Sequence, residues 1–204
     1  MARKTFTETD WEVREGRFWV NFFNTLSGFR SSVLIGSTDG KDHHNVGIFN
    51  SLVHLGANPP LLGFILRPTT VKRDTYNNIL ATKYYTINHI SKQMIDAAHQ
   101  TSASYDATTS EFDATGLTSE LDHSEKAPFV VESPVSFLME FKEEHSIING
   151  TRLIVGAIRE VRLNESMIEE DGSLKMADQD LIVTSGLYHY HGVNLIKKKT
   201  YARP

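Results

Sequence analysis

Residues 45–76 carry the side chains best suited to bind a small anion. Strands are predicted at 45–49 and 61–66, and a helix is predicted to begin at Asp74, which is a good capping residue. A phosphate monoester binds hydroxyl donors, planar guanidinium groups and the free backbone amides at the start of a helix. If the two strands pair, they gather this set: Asn45, Asn50, Ser51, Arg67, Thr69, Thr70, Lys72, Arg73 and Thr75. A solvated basic loop fits the same residues, and their spacing leaves both interpretations open.

Other familiar catalytic and metal-binding motifs are absent from the sequence. It contains no G-x-G-x-x-G fingerprint, no P-loop, no G-x-S-x-G elbow and no H-E-x-x-H motif. With no cysteine, thiol catalysis and cysteine-ligated metals are excluded. Close histidine pairs occur at His43-His44 and at His189 with His191, and only the second pair shares a strand face. No third ligand accompanies either pair, so we predict no metal site.

Composition is typical of a soluble globular protein of one domain. The chain has 204 residues, 21 basic and 25 acidic, so its net charge is 21 − 25 = −4. This balance gives no general attraction to nucleic acid or to an anionic membrane. The apolar runs are shorter than the ~20 residues of a membrane span, and acidic residues rather than an apolar stretch follow Met1–Thr5. We therefore predict a cytoplasmic protein that binds neither nucleic acid nor membrane.

The elements that position these groups are predicted to be mostly strands. Aromatic residues at helical spacing from Trp11 to Leu26 predict a helix over 8–27 that ends at Gly28. β-rich runs on both sides of Asn149-Gly150 predict an antiparallel hairpin. Six or seven strands with a few helices favour a small, mainly β barrel with peripheral helices. The remaining predictions are a strand at 32–37, a turn or short bend at 50–56, a strand at 84–88, a helix at 91–104 and irregular chain at 105–127.

Longer motifs within the chain resemble a known family. Residues 45–64 contain an asparagine, small and apolar residues, a serine and then Pro59-Pro60 leading a strand. Further landmarks are Arg73-Asp74-Thr75, Asn78-Ile79, Tyr85-Thr86-Ile87-Asn88, Ser110-Glu111-Phe112, Gly116-Leu117, Ser133-Pro134-Val135 and Leu153–Ile158. In combination, over roughly residues 30–190, they resemble the flavin reductase-like family, the FMN-binding split-barrel flavoproteins.

The resemblance implies a fold and a site. The fold is an antiparallel, Greek-key-like split barrel in a single domain, with an N-terminal helical region at 1–29, the barrel at 30–190 and a tail at 191–204. FMN lies near the interface of a homodimer, with the backbone of residues 45–49 along the isoalloxazine edge. The implied cofactor-binding residues are Asn45, Val46, Ile48, Phe49, Asn50, Ser51, Leu52, Arg67, Thr69, Thr70, Lys72, Asp74 and Thr75. Tyr188-His189 is a candidate for the pair that some members carry near the nicotinamide.

The function implied by the resemblance is an NAD(P)H:flavin reductase. It would take hydride from the reduced nicotinamide to FMN and pass electrons to free flavin or to a partner oxygenase. Because the flavin does the redox chemistry itself, no protein acid or base is required and no catalytic residue is predicted. The alternatives are an FMN-dependent oxidase of the pyridoxamine-phosphate-oxidase-like type and a non-enzymatic protein that stores, senses or carries FMN.

Overall fold

Antiparallel strands are the main secondary structure of the computed structural model, which describes residues 3–13, 16–70, 73–106, 108–121 and 126–203. The helices in these residues are α1 (Glu8–Val13), α2 (Phe18–Leu26), α3 (Asp74–Thr82), α4 (Ile95–Gln100) and α5 (Glu111–Thr115). The strands are β1 (Arg30–Ser31), β2 (Val33–Thr38), β3 (His44–Phe49), β4 (Val53–Ala57), β5 (Pro60–Leu66), β6 (Tyr84–His89), β7 (Ser119–Leu121), β8 (Pro128–Val130), β9 (Val135–Ser146), β10 (Arg152–Leu163), β11 (Ile182–Ser185) and β12 (His189–Gly192).

One seven-stranded sheet forms the barrel. Its strand order is β3-β2-β6-β9-β10-β5-β4, and every neighbouring pair is antiparallel. Smaller sheets of β1-β11-β12 and β7-β8 lie outside it. The predicted hairpin is confirmed as β9-β10, and at its turn Gly150 has a φ of 80° and donates its N–H to the Ile147 carbonyl at 2.8 Å. The mainly β, antiparallel fold class is also confirmed.

Strand β2 is buried on both of its faces. Val33 and Ile35 belong to a core cluster with Phe64, Tyr85 and other residues of the sheet. Leu34 points the other way, into a second cluster built with residues of α4 and α5. Because successive strand residues face opposite sides, the apolar run of β2 serves both clusters at once. At β2, one face of the sheet therefore packs into the barrel interior and the other face packs against the short helices α4 and α5.

Two predictions about the N-terminal half of the chain are wrong. The helix expected over 8–27 is two helices, since α1 ends at Val13, and α2 begins at Phe18 after Gly16, whose φ is +83°. The expected end at Gly28 is confirmed, with a φ of +76° and a hydrogen bond from its N–H to the Thr25 carbonyl. The bend expected over 50–56 contains part of β4, an edge strand with mostly exposed side chains. Its backbone pairing with β5, rather than a buried face, holds it in place.

The middle of the chain also departs from expectation. Asp74 is the first residue of α3 and Arg73 holds the capping position, so Asp74 is not the cap. The helix expected over 91–104 is a 3₁₀ turn followed by α4, which ends at Gln100. The segment 105–127, expected to be irregular, contains α5 and β7. These elements are short, and the one apolar side chain that α5 buries, Phe112, is too weak a periodic signal to predict a helix.

His89, at the end of β6, gives the fold a dependence on pH. Its largely buried ring meets the ring of Phe137 edge-on at 5.6 Å. Burial lowers the pKa of His89 to about 4, from an ordinary value of 6.5. The unfolded chain therefore takes up a proton at a higher pH than the folded chain does. The stability that the neutral ring provides is complete above pH 6.5 and is lost as the pH falls toward 4.

Because of His89 alone, we expect the free energy of unfolding of the wild type to fall by about 3 kcal/mol between pH 7 and pH 4. Urea unfolding of the wild type and of His89→Gln over that range measures the effect. The glutamine variant cannot titrate, so its unfolding free energy should fall by less, and the difference between the two profiles isolates His89. Parallel profiles for the two proteins would contradict this assignment.

Candidate functional site

A cleft of about 520 Å³ opens where the two ends of the main sheet approach each other. We use "the cleft" for the space bordered by the end of β3, the end of β5, the start of α3, the last turn of α4 with the segment that follows it (99–105), and the β11-β12 hairpin. Its walls come from several separate parts of the chain, with Ser32 and Glu111 adding to those just named. The cleft is therefore a product of the folded barrel and not of one loop.

Ser51 joins the ends of the sheet beneath the cleft. Its hydroxyl donates to the carbonyl of Ile65 at 3.1 Å and accepts from the Ile65 N–H at 3.0 Å. The pairing of strands 45–49 and 61–66 considered from sequence is wrong, because β3 pairs with β2, and β5 pairs with β10 and β4. The sheet curls until its ends meet, so the two segments come together through Ser51 and not through a strand ladder.

Arg67 and Arg73 supply the cationic side of the cleft. We call this side, which also includes Asp74 and Thr75, the arginine wall. Arg67 follows β5, and Arg73 caps α3. Neither guanidinium makes a hydrogen bond or an ion pair with any residue in the described part of the chain, and the Nε of Arg73 is buried without a partner there. The first amides of α3 add donors at the same place. Two cations and free amides together favour an anion.

Glu111 forms a polar group with Asn45 and Thr75 on the cleft. When the Asn45 amide is oriented to satisfy both of its ends, its nitrogen donates to Glu111 Oε2 at 2.9 Å. Its oxygen then accepts from the hydroxyl of Thr75 at 3.1 Å. Burial raises the pKa of Glu111, and the nearby carboxylate of Asp74 adds to the rise. Sequence reasoning did not select Glu111 as a site residue, although the Ser110-Glu111-Phe112 landmark contains it.

His99, Tyr188 and Tyr190 form another side of the cleft, which we call the aromatic wall. His99 lies in the last turn of α4, and its Nδ1 is 2.7 Å from the hydroxyl of Tyr190 on β12. Tyr188 precedes β12 and is 55% exposed. Of the predicted pair Tyr188-His189, the tyrosine borders the cleft and the histidine is exposed on the neighbouring strand without bordering it. Sequence reasoning explained His99 by its helix end alone and missed Tyr190.

Most of the predicted cofactor-binding residues border the cleft. These are Asn45, Ile48, Phe49, Asn50, Ser51, Arg67, Asp74 and Thr75. Val46 instead points into the second core cluster, and Leu52 packs against the first. Thr69 and Thr70 are exposed in the turn between the two arginines, outside the cleft lining. Lys72 lies outside the described residues.

Comparison with known proteins assigns the family. A model of the "Flavin reductase like domain" matches residues 26–192. The chain belongs to the flavin reductase-like family. Membership makes it a flavin-related oxidoreductase with a flavin cofactor, as the resemblance implied. None of the helices in the described part of this family member combines the length and the apolar character needed to cross a membrane.

Solved structures support the same assignment. A candidate flavin reductase with a split barrel domain from Shewanella frigidimarina NCIMB 400 is 39% identical, with a TM-score of 0.94 over 98% of this chain and 100% of that one. Nitrilotriacetate monooxygenase component B from Bacillus cereus is 14% identical, with a TM-score of 0.84 over 98% and 100% of the two chains. An FMN-binding protein from Thermus thermophilus is 20% identical, with a TM-score of 0.67 over 86% and 90%. The last two establish the shared fold alone.

A curated relative from Aquifex aeolicus (strain VF5) is 24% identical over 129 residues, which is 62% of this chain. The match spans 65% of the length of that relative.

The split barrel predicted for this family is confirmed by the Shewanella structure.

Proposed function

We propose that this chain binds FMN in the cleft and reduces it with NADH or NADPH. The observation that carries the proposal is the pair Arg67 and Arg73. Both residues border the cleft, Arg67 after β5 and Arg73 at the start of α3, and neither guanidinium has a hydrogen-bond or ion-pair partner among the described residues. Arg67 is exposed, whereas Arg73 is half-buried, and keeping part of a cation away from water without a counter-charge is unfavourable. A phosphate dianion placed there would supply the missing partner to both.

The remaining residues fit the rest of the FMN molecule. Strand β3 is the terminal strand of the described sheet, so its outer edge has no strand partner. Ser110 and Glu111 already bond to the His44 carbonyl and the Val46 N–H, and the backbone groups beyond them would hydrogen bond to the edge of a flavin ring. Thr75 lies beside the arginines, and its hydroxyl proton is donated to Asn45, so a phosphate there would compete with Asn45 for it. Ser51 already uses its proton and one lone pair on Ile65, so it fixes the shape of the cleft more than it binds the ligand. Thr69, Thr70 and Lys72 stay predictions.

Bound FMN would take a hydride from NAD(P)H and a proton from water, giving NAD(P)⁺ and FMNH₂. The chain itself would hold the phosphate with its arginines and orient the ring along β3. The Bacillus cereus neighbour is named as one component of a monooxygenase. That name supports a role in which this chain passes reduced flavin, or its electrons, to a separate oxygenase.

A second copy of the chain is part of the same proposal. In α2 and just after it, Phe23, Leu26 and Phe29 are 43%, 66% and 68% exposed. Contiguous exposed apolar side chains of this size mark an interaction surface. We propose that they contribute to the homodimer near whose interface FMN would lie.

An anaerobic absorbance experiment tests the function. We expect FMN-loaded protein to lose its visible flavin absorbance when NADH or NADPH is added without oxygen, and to regain it when air is admitted. Free FMN at the same concentration, mixed with the same donor, is the control for uncatalysed reduction.

The other outcomes separate the alternatives. Bound flavin that neither donor bleaches would refute the reductase and favour a protein that stores, senses or carries FMN. Oxidation of pyridoxamine phosphate in place of NAD(P)H would favour the oxidase. Failure to bind FMN at all would refute the proposal as a whole.

A further inference from the structure

His99 and Tyr190 form a fixed polar pair that the proposed binding of FMN does not require. The His99 Nδ1 and the Tyr190 hydroxyl are 2.7 Å apart, and the two rings meet edge-on at 5.8 Å. Both side chains are partly buried, so the hydrogen bond holds the imidazole at one angle. Residues 99 and 190 come from α4 and β12, two elements that only the folded barrel brings together.

The other nitrogen of His99 remains available to a ligand. Nε2 has no hydrogen-bond partner among the residues that the structure describes. If the Tyr190 hydroxyl donates to Nδ1, the ring carries its proton on Nε2 and donates there. If Nδ1 donates to the tyrosine oxygen, Nε2 accepts instead. In either tautomer His99 can make one directed hydrogen bond to a molecule in the cleft.

Tyr188 places a flat surface beside this pair. Its ring is 55% exposed and lies 6.1 Å from the His99 ring. The turn that carries it is anchored, because the Gly186 carbonyl accepts from Asn50 Nδ2 at 2.8 Å and from Arg30 Nη2 at 2.9 Å. An exposed aromatic ring on an anchored turn is suited to stacking against another planar group.

We infer that the aromatic wall binds the second substrate of the proposed flavin reaction. That substrate is a planar, conjugated molecule with a carbonyl-type group, which stacks on Tyr188 and hydrogen bonds to His99. Tyr190 acts as a positioning residue that holds the imidazole. The inference rests on the proposed function, since the substrate must meet the flavin in this cleft. Both the carboxamide-bearing nicotinamide of the electron donor and a quinone acceptor have this chemistry.

Three variants of the full chain test the inference: His99→Ala, His99→Gln and Tyr190→Phe. The Kd for FMN is measured first by fluorescence titration. Stopped-flow absorbance without oxygen then follows two reactions of the FMN-loaded proteins separately. One is reduction by NADH or NADPH, and the other is reoxidation by 1,4-benzoquinone after photoreduction, which needs no nicotinamide.

We expect His99→Ala to raise the apparent dissociation constant for one of the two reagents about tenfold, the effect of one lost hydrogen bond. The limiting rate and the Kd for FMN should change by less than about twofold, since the imidazole is assigned to substrate binding. His99→Gln should recover most of the loss, because its amide can donate or accept at the same reach, and Tyr190→Phe should fall between. The reagent that responds identifies the substrate: the nicotinamide donor or the quinone.

His145→Ala is the matched control, because His145 is an exposed histidine on β9 that does not border the cleft. It should leave every constant unchanged. The inference is overturned if His99→Ala changes neither reagent's constant, or if the Kd for FMN rises together with it, which would mean that the wall binds the flavin. A wild type that binds no FMN fails at the first titration, and that result refutes the proposed function as well.

Discussion

Replacing Arg67 and Arg73 together by alanine is expected to weaken FMN binding by about 3–6 kcal/mol, a rise in Kd of roughly 100-fold or more. Each guanidinium would contribute a charged hydrogen bond to the phosphate, worth about 1.5–3 kcal/mol. Both border the cleft without a partner among the described residues, so alanine breaks no ion pair there. Quenching of flavin fluorescence on titration measures the Kd.

Riboflavin makes this prediction specific to the phosphate. It has the same ring and ribityl chain as FMN without the phosphate, so the wild type and the double variant should bind it equally. Arg159→Ala is the matched control, because Arg159 pairs with Glu140 on the outside of the barrel and does not border the cleft. An FMN affinity that survives the double substitution would remove the phosphate from the arginine wall. An equal loss for riboflavin would assign the arginines a structural role.

Phe64→Ala is expected to destabilise the fold by about 3–5 kcal/mol, the usual cost of emptying a buried aromatic site. Phe64 is 0% exposed and belongs to the barrel core. Its ring meets Phe49 at 5.1 Å and Tyr85 at 5.7 Å, both edge-on. Removing it leaves a cavity between strands that are fixed by their hydrogen-bond ladders and cannot collapse to fill it. The free energy of unfolding in urea at pH 7 measures the loss.

Ile148→Ala is the control that removes apolar side-chain atoms from the surface and not from the core. Ile148 lies at the tip of the β9-β10 hairpin and is fully exposed, so we expect its variant to stay within about 0.5 kcal/mol of the wild type. A comparably small effect for Phe64→Ala would show that the barrel interior rearranges around the gap, contrary to the packing described above.

The parts of the fold that follow from local signals were predictable. Alternation on both sides of Asn149-Gly150 specifies the long hairpin, because a two-residue period and a turn are readable within a short window. Gly28 was recognisable as a helix end for the same reason. The order of strands in the sheet was not, since it depends on how the barrel closes. The sequence therefore predicts that β3 and β5 lie close together, but not how they meet. They are not neighbours in the sheet, and Ser51 connects them.

The candidate site shows the same division. The segment between β3 and α3 could be selected because its polar residues are close in sequence and match family landmarks. His99 could not, since its partner Tyr190 is 91 residues away and a histidine at a helix end already has a local explanation. Arg73 was grouped with the anion-binding residues from spacing, yet only the structure shows that its Nε is buried without a described partner.

The shared carbonyl of Gly186 has a consequence for how the protein acquires its ligand. Arg30 and Asn50 reach this one oxygen across sequence separations of 156 and 136 residues. Contacts of such long range form only after the entropy of closing large loops has been overcome. Binding competence is thus a property of the completed tertiary structure, and a nascent chain that lacks its last strands has no cavity in which to capture a flavin.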